Sequence, residues 1–203
     1  MFLETTFIPE FKQQTSKLKI TDVAILTAHI GDRPYLAKYR ADHLTAGNIQ
    51  LVCYISQGIH IVKTGRSLFS DDFYITNGRI ENPRVTELFG EFDTIVTPFE
   101  MTDQIKRCLT PFASSFNSYN NSLVREIAYK VVPLDYKALM KGLRNTAPYI
   151  NALEDPLNKI SKKDIKDFFD DMILAPNKMD KTWSYGDAPI FLNIGSDDEE
   201  EKE

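Results

Sequence analysis

The sequence predicts an α+β fold. We expect a mainly antiparallel β-sheet, or a barrel-like arrangement, in the N-terminal half and helices in the C-terminal half. Between residues 17 and 98, short apolar runs rich in β-branched side chains alternate with turn sequences, as strands do. From residue 99 to 176, apolar side chains recur at helical spacing. The apolar run APIFLNI at 188–194 predicts a final strand that returns to the sheet.

Two hairpins define the predicted sheet. Residues 49–64 contain two apolar runs on either side of the turn sequence SQG at 56–58. Asn77 and Gly78 separate FYIT from RIEN and give the stronger prediction, because both residue types adopt the positive φ angles of tight hairpin turns. Further strands are predicted at residues 20–30, 35–40 and 94–98.

The clearest predicted helix is SKKDIKDFFDDMIL, at residues 161–174. Its apolar side chains form one stripe, and Ser161 can cap the first turn. Further helices are predicted at 102–109 and 134–145, while 123–132 fit a helix and a strand equally well.

Charge is concentrated at one end of the chain. The last seven residues carry six acids and one lysine, so the other 196 residues hold 23 acidic and 23 basic side chains. A formally neutral body lacks the basic face that a large nucleic-acid interface needs. The predicted segments are an apolar arm (1–16), a β-rich unit (17–98), a helical unit (99–176), a terminal segment with a strand (177–196) and an acidic tail (197–203).

The N-terminal arm is the first candidate for protein binding. It has five large apolar side chains within eleven residues, and such a patch is rarely left exposed, so we expect it to dock on the body or on another chain. The polar run SSFNSYNNS at 114–122 adds two aromatic anchors for a contact surface. The predicted partner-binding residues are Phe2, Phe7, Ile8, Phe11, Phe116 and Tyr119.

A candidate anion site follows the predicted strand IHIVKT. Lys63 and Arg66 flank Thr64 and Gly65, a turn whose backbone N–H groups can hold a phosphate or a partner carboxylate. The glycine spacing and the arginine do not match the phosphate-binding P-loop motif. A solvated hairpin tip is the alternative.

No pattern in the sequence predicts a catalytic residue, a metal site or a cofactor. His29 and His60 lie in predicted strands without a carboxylate or thiol at ligand spacing. Cys53 and Cys108 lie in apolar surroundings without CxxC spacing, which predicts buried, reduced thiols.

No apolar run reaches the ~18 residues of a membrane span, and Glu4 and Pro9 interrupt the apolar start where a signal peptide would be continuous. We therefore expect no membrane association. The expected location is the cytoplasm of the producing cell, or a virion assembled there.

Together these features favour a non-enzymatic structural subunit of a homo- or hetero-oligomeric assembly, such as a bacteriophage capsid, neck or tail protein. In such assemblies, terminal arms lock adjacent subunits. An enzyme whose site the sequence does not reveal is one alternative.

The other alternative is a single-stranded nucleic-acid-binding protein. The layout resembles that of some viral single-stranded-DNA-binding proteins, which have a β-barrel followed by an acidic C-terminal tail that recruits partners. Aromatic side chains would then supply stacking platforms for bases. The candidates are Tyr35, Tyr39, Tyr54, Phe73 and Tyr74.

Overall fold

The computed structural model describes residues 18–31, 44–96 and 118–174, which form seven helices and a small three-stranded sheet. Their buried apolar side chains form one cluster that extends from Leu18 to Met172. In chain order the elements are α1 (Ile20–Gly31), α2 (Ala46–Thr64), β1 (Phe73–Thr76), β2 (Arg79–Glu81), α3 (Pro83–Phe89), α4 (Ser118–Val131), α5 (Tyr136–Leu143), α6 (Ala147–Glu154), β3 (Lys159–Ile160) and α7 (Lys162–Leu174).

The predicted β-rich or barrel-like N-terminal half is wrong. Residues expected to form strands lie in the helices α1 and α2, and the predicted turn at 56–58 lies inside α2. Every residue of α2 from Ala46 to Ile61 is buried. A helix enclosed on all sides has apolar residues around its whole circumference, so its sequence lacks the helical period that marks a surface helix.

Local signals set both ends of α2. Thr45 and Asn48 form a reciprocal cap. The Thr45 hydroxyl accepts from the Asn48 backbone N–H at 3.3 Å, and the side-chain Oδ1 of Asn48 accepts from the Thr45 backbone N–H at 3.2 Å. At the other end Gly65 has a φ of 69° and donates its N–H to the Ile61 carbonyl at 2.8 Å. The left-handed conformation at Gly65 ends the helix.

The hairpin predicted at Asn77 and Gly78 is confirmed. Both residues have positive φ, and the strands β1 and β2 pair antiparallel on either side of them. The short strand β3, which was not predicted, pairs antiparallel with the other edge of β1, so the strand order is β2-β1-β3.

The predicted helices at 134–145 and 161–174 are confirmed as α5 and α7, and the ambiguous run at 123–132 lies largely in α4. In the predicted strand 94–98, Ile95 forms one isolated bridge with Thr45. The predicted elements at 35–40, 102–109 and 188–194 lie outside the described residues, as do the arm and the acidic tail.

Two glycines let aromatic rings contact the backbone of α2. A Cβ atom added to Gly58 would lie 2.1 Å from Cδ2 of Phe169, and one added to Gly47 would lie 2.4 Å from Cε1 of Phe92. Both separations are far below van der Waals contact. The close approach of α7 to α2 therefore requires glycine at position 58.

We predict that Gly58→Ala destabilises the protein by about 1–3 kcal/mol. Alanine improves helix propensity by about 1 kcal/mol, but its methyl group displaces the Phe169 ring from a packed core. Urea unfolding followed by circular dichroism measures the difference. Gly65→Asn is the matched control, because position 65 has open space and asparagine tolerates a positive φ. Unchanged stability of Gly58→Ala would show that Phe169 does not pack there.

Candidate protein-binding site

Helix α6 has apolar side chains on two adjacent faces, about 100° apart around the helix axis. Its inner face buries Tyr149 and Ala152, and the helix packs against α7, β1 and β3. Its outer face carries Ile150 and Leu153, which are 48% and 55% exposed. Asn151 and Glu154 are exposed on the remaining side of the helix. The exposed apolar side chains thus lie between a buried face and a polar face, and they are a candidate surface for another chain.

The turn after α6 adds a third apolar side chain. Leu157 is 72% exposed. The Asp155 carboxylate accepts from the N–H groups of Leu157 at 2.8 Å and Lys159 at 3.3 Å, and the Asn158 carbonyl accepts from the Ile75 N–H at 2.8 Å. The turn is thus tied to β1 and presents Leu157 from an ordered backbone. We call Ile150, Leu153 and Leu157 the α6 patch.

The α6 patch is concentrated within a short stretch of chain. In the part of the chain that the structure describes, the other large apolar side chain of comparable exposure is Ile95. The start of α6 is fixed locally: Pro148 lies in the first turn, where a proline is tolerated, and the Thr146 hydroxyl donates to the Leu143 carbonyl at 2.7 Å. Two exposed anchors therefore lie on α6, and the third lies on the turn that follows it.

The loop before β1 connects this region to the start of α1. The Asp71 carboxylate, which is almost fully buried, accepts from the Ile20 N–H at 3.2 Å and from Arg84 at 2.8 Å. Asp72 pairs with Lys159 at 2.7 Å and with Lys162 at 3.5 Å. The hydrogen bond from Lys159 to Asp72 raises the pKa of that ammonium group. The adjacent acids Asp71 and Asp72 thus tie four elements together.

Buried amides on α2 hold two loops. The Gln57 side chain donates to the Phe69 carbonyl at 3.1 Å and accepts from the Leu68 N–H at 2.8 Å. Gln50 pairs in the same way with the backbone of Asn82, at 3.2 and 2.9 Å. These contacts satisfy backbone groups that would otherwise be buried without partners, so both side chains have a structural role.

A surface cluster connects β2 to α5. Asp93 pairs with Arg79 at 2.9 Å and accepts a hydrogen bond from the Tyr136 hydroxyl. The Tyr136 and Phe92 rings meet edge to face with centroids 4.7 Å apart. The hydrogen bond from Tyr136, followed by the charge of Arg79, lowers the pKa of Asp93. Burial and the bond to Asp93 raise the pKa of Tyr136 to about 12, so its hydroxyl stays protonated at neutral pH.

Most of the predicted partner-binding residues cannot be placed against this surface. Tyr119 lies in the first turn of α4, and its side chain is not among those described. The remaining residues of that prediction fall outside the described ranges: Phe2, Phe7, Ile8, Phe11 and Phe116.

The candidate anion site lies at the C-terminal end of α2. Lys63 is in the last turn of that helix and Arg66 follows its cap. The N–H of Gly65 donates to the Ile61 carbonyl, and the N–H of Arg66 donates to the Thr64 hydroxyl at 3.2 Å. Occupied N–H groups and the negative end of a helix dipole disfavour an anion, so this site stays a prediction without support from the local geometry.

His60 and Cys53 lie in the core, whereas His29 is exposed on α1 and Cys108 lies outside the described residues. His60 is buried, its Nδ1 lies 2.8 Å from the Arg66 carbonyl oxygen, and burial lowers its pKa. Cys53 is confirmed as a buried free thiol, and burial raises its pKa. Across the described ranges, no three His, Cys, Asp or Glu side chains are grouped to hold a metal ion.

Two of the proposed base-stacking residues are in the core. Tyr54 and Phe73 are fully buried and contact each other edge to face at 5.3 Å between ring centroids. Tyr74 is partly buried in β1, while Tyr35 and Tyr39 lie outside the described residues. The described aromatic side chains therefore do not form the exposed platform that stacking on bases requires.

No protein-family model, curated protein or solved structure matches this chain. Among the helices of the described ranges, none has both the length and the apolar composition to cross a bilayer. The geometry of the α6 patch is therefore the observation on which a functional proposal depends.

We predict that the coupling between Asp93 and Tyr136 disappears in acid. A double-mutant cycle with Asp93→Asn and Tyr136→Phe should give a coupling of at most about 1 kcal/mol at neutral pH, because the pair is exposed. The folded-state pKa of Asp93 lies below its ordinary value of 3.8, so the coupling persists above that pH and is lost as pH falls through the lowered value. Urea unfolding across this range measures it. A coupling that is constant across this pH range would contradict the assigned ionisation.

Proposed function

We propose that this protein is a non-enzymatic subunit of a multi-chain assembly and that the α6 patch is a contact with a neighbouring protein chain. The supporting observation is the pair of apolar faces on α6. The inner face contributes Tyr149 and Ala152 to the core, while the outer face carries Ile150 and Leu153 in water. Covering the outer face by another chain would remove Ile150 and Leu153 from water, which is favourable.

The energetics suit a contact of this kind. Full burial of one Leu or Ile side chain contributes ~1.5–3 kcal/mol, so three partly exposed anchors can supply several kcal/mol of association. The Asp155 turn holds Leu157 in place before binding. Little backbone entropy is therefore lost from this side of the interface, which favours affinity.

The non-enzymatic part of the proposal draws on the titratable groups. Burial keeps the Cys53 thiol protonated, and a protonated thiol is a poor nucleophile. His60 bonds to backbone within the core, and Tyr136 is held protonated by Asp93. The Thr64 hydroxyl lies 3.2 Å from Nδ1 of His60, but Nδ1 donates to the Arg66 carbonyl at 2.8 Å and therefore carries a proton. A protonated nitrogen is not a base toward that hydroxyl, so this pair is not arranged as a nucleophile with its base.

A viral capsid, neck or tail component is the specific form of this proposal, and the arm and acidic tail are the features that suggest it. Its assembly would take place in the cytoplasm of the producing cell. Two of the five residues that the single-stranded nucleic-acid alternative would use for base stacking are buried in the core. In the described ranges, no arrangement of side chains supports the enzyme alternative.

We predict that Leu153→Glu combined with Leu157→Glu weakens assembly at least ~100-fold. The change removes two anchors and would bury two carboxylates without partners. Size-exclusion chromatography with light scattering should give a mass above 23.2 kDa for the native chain and the monomer mass for the variant.

Asn151→Glu is the matched control, because it adds a charge to an exposed position of the same helix without removing an apolar side chain. It should assemble like the native chain. A double variant with the native mass, or a native chain that is monomeric at all concentrations, would refute the proposed contact.

A further inference from the structure

We propose that the α6 patch of one copy binds the N-terminal arm, residues 1–16, of a second copy, so that neighbouring copies exchange arms. This inference depends on the proposed function, because it names the partner of the same patch. It draws on where the arm leaves the body, on the size of the patch and on the apolar content of the arm.

The segment after the arm and the segment after the patch contact the same loop, at Asp71 and Asp72. The described chain begins at Leu18, and the Ile20 N–H donates to the Asp71 carboxylate. The adjacent Asp72 pairs with Lys159, which lies two residues after Leu157. One ion-paired loop therefore joins the base of the arm to the end of the patch.

The arm is long enough to reach the patch on its own or on an adjacent copy. The seventeen residues before Leu18 span up to about 55–60 Å when extended. Helix α6 is only about 12 Å long at a rise of 1.5 Å per residue. The length of the arm therefore permits binding within one chain and between chains. The size of the patch and the apolar content of the arm must decide between these two arrangements.

The patch is too small to hold two globular bodies together. Its three side chains expose roughly 200–300 Å², since complete burial of one Leu or Ile removes on the order of 100 Å² from water. A stable interface between globular proteins buries about 800 Å² per partner. A patch of this size is suited to a segment with a few apolar anchors.

The apolar content of the arm favours exchange between copies. The arm has more large apolar side chains than the patch can cover, so an arm on its own patch would leave several of them in water. An arm between two bodies is covered on both sides. Reciprocal exchange also forms a closed two-fold assembly, which is the commonest symmetry of soluble oligomers. The five side chains are Phe2, Leu3, Phe7, Ile8 and Phe11.

The experiment compares full-length variants by size-exclusion chromatography with light scattering. The arm variant is Phe7→Glu with Phe11→Glu, and the patch variant is Leu153→Glu with Leu157→Glu. Each alone should assemble at least ~100-fold more weakly than the native chain. Thr5→Glu with Thr6→Glu is the matched control, because it adds the same charge to the arm at polar positions, and it should assemble normally.

Mixing the two variants tests the exchange itself. The arm variant retains a native patch and the patch variant retains a native arm, so one arm–patch contact remains available between unlike chains. We expect a heterodimer, detected by light scattering and by fluorescence transfer between differently labelled variants. A mixture that stays monomeric would refute exchange between copies.

Two further outcomes separate this inference from the proposed function. If the arm variant assembles like the native chain and the patch variant does not, another segment or partner covers the patch. The arm assignment is then wrong while the proposed protein contact stands. If the patch variant assembles like the native chain, both are wrong.

Discussion

Burial of α2 from Ala46 to Ile61 is the constraint on which the rest of this fold depends. Because almost no solvent reaches these residues, neighbouring elements must surround this part of the helix on every side. Its polar groups then need partners inside the protein, although the Tyr54 and Ser56 hydroxyls have none among the described residues. The Gln50 and Gln57 amides meet this requirement by bonding to the backbones of the loops that lead into α3 and β1. Gly58 lets α7 approach until an aromatic ring contacts the helix backbone. Packing and hydrogen bonding therefore act together to place the outer elements.

The same burial explains which parts of the fold could be predicted. The hairpin at Asn77-Gly78 and the helix α7 could be predicted from local sequence. The first is a turn that needs positive φ, and the second is a helix with one solvent-exposed face. Both predictions are correct. In α2 the helical period is absent because no face is wet, and SQG at 56–58 resembles a turn although Gly58 serves a close packing contact. The Asp71 contact with the start of α1 joins residues 51 apart in sequence, so no local pattern shows it.

The candidate binding site was not predicted, for a related reason. APYINALE is apolar on both faces, and the sequence alone does not say which face packs inward. Once Tyr149 and Ala152 are seen against the sheet and α7, the exposure of Ile150 and Leu153 follows from helix geometry. Apolar residues on two faces of a short helix can indicate a binding surface, but only when the positions of the neighbouring elements are known. The arm could be predicted as a binding segment from its composition, because composition does not depend on the positions of neighbouring elements.

The hydrogen-bonded backbone around Leu157 affects the kind of partner that the α6 patch can bind. The Asp155 carboxylate and the contact between Asn158 and Ile75 fix the backbone around Leu157, so binding orders little on this side. For the proposed contact, any conformational freedom that the arm loses on binding would offset part of the apolar gain. The proposed contact would then be weak enough to form and dissociate while subunits assemble. Because several weak contacts act together once subunits are adjacent, an assembly built in this way gains stability through multivalency rather than through one large interface.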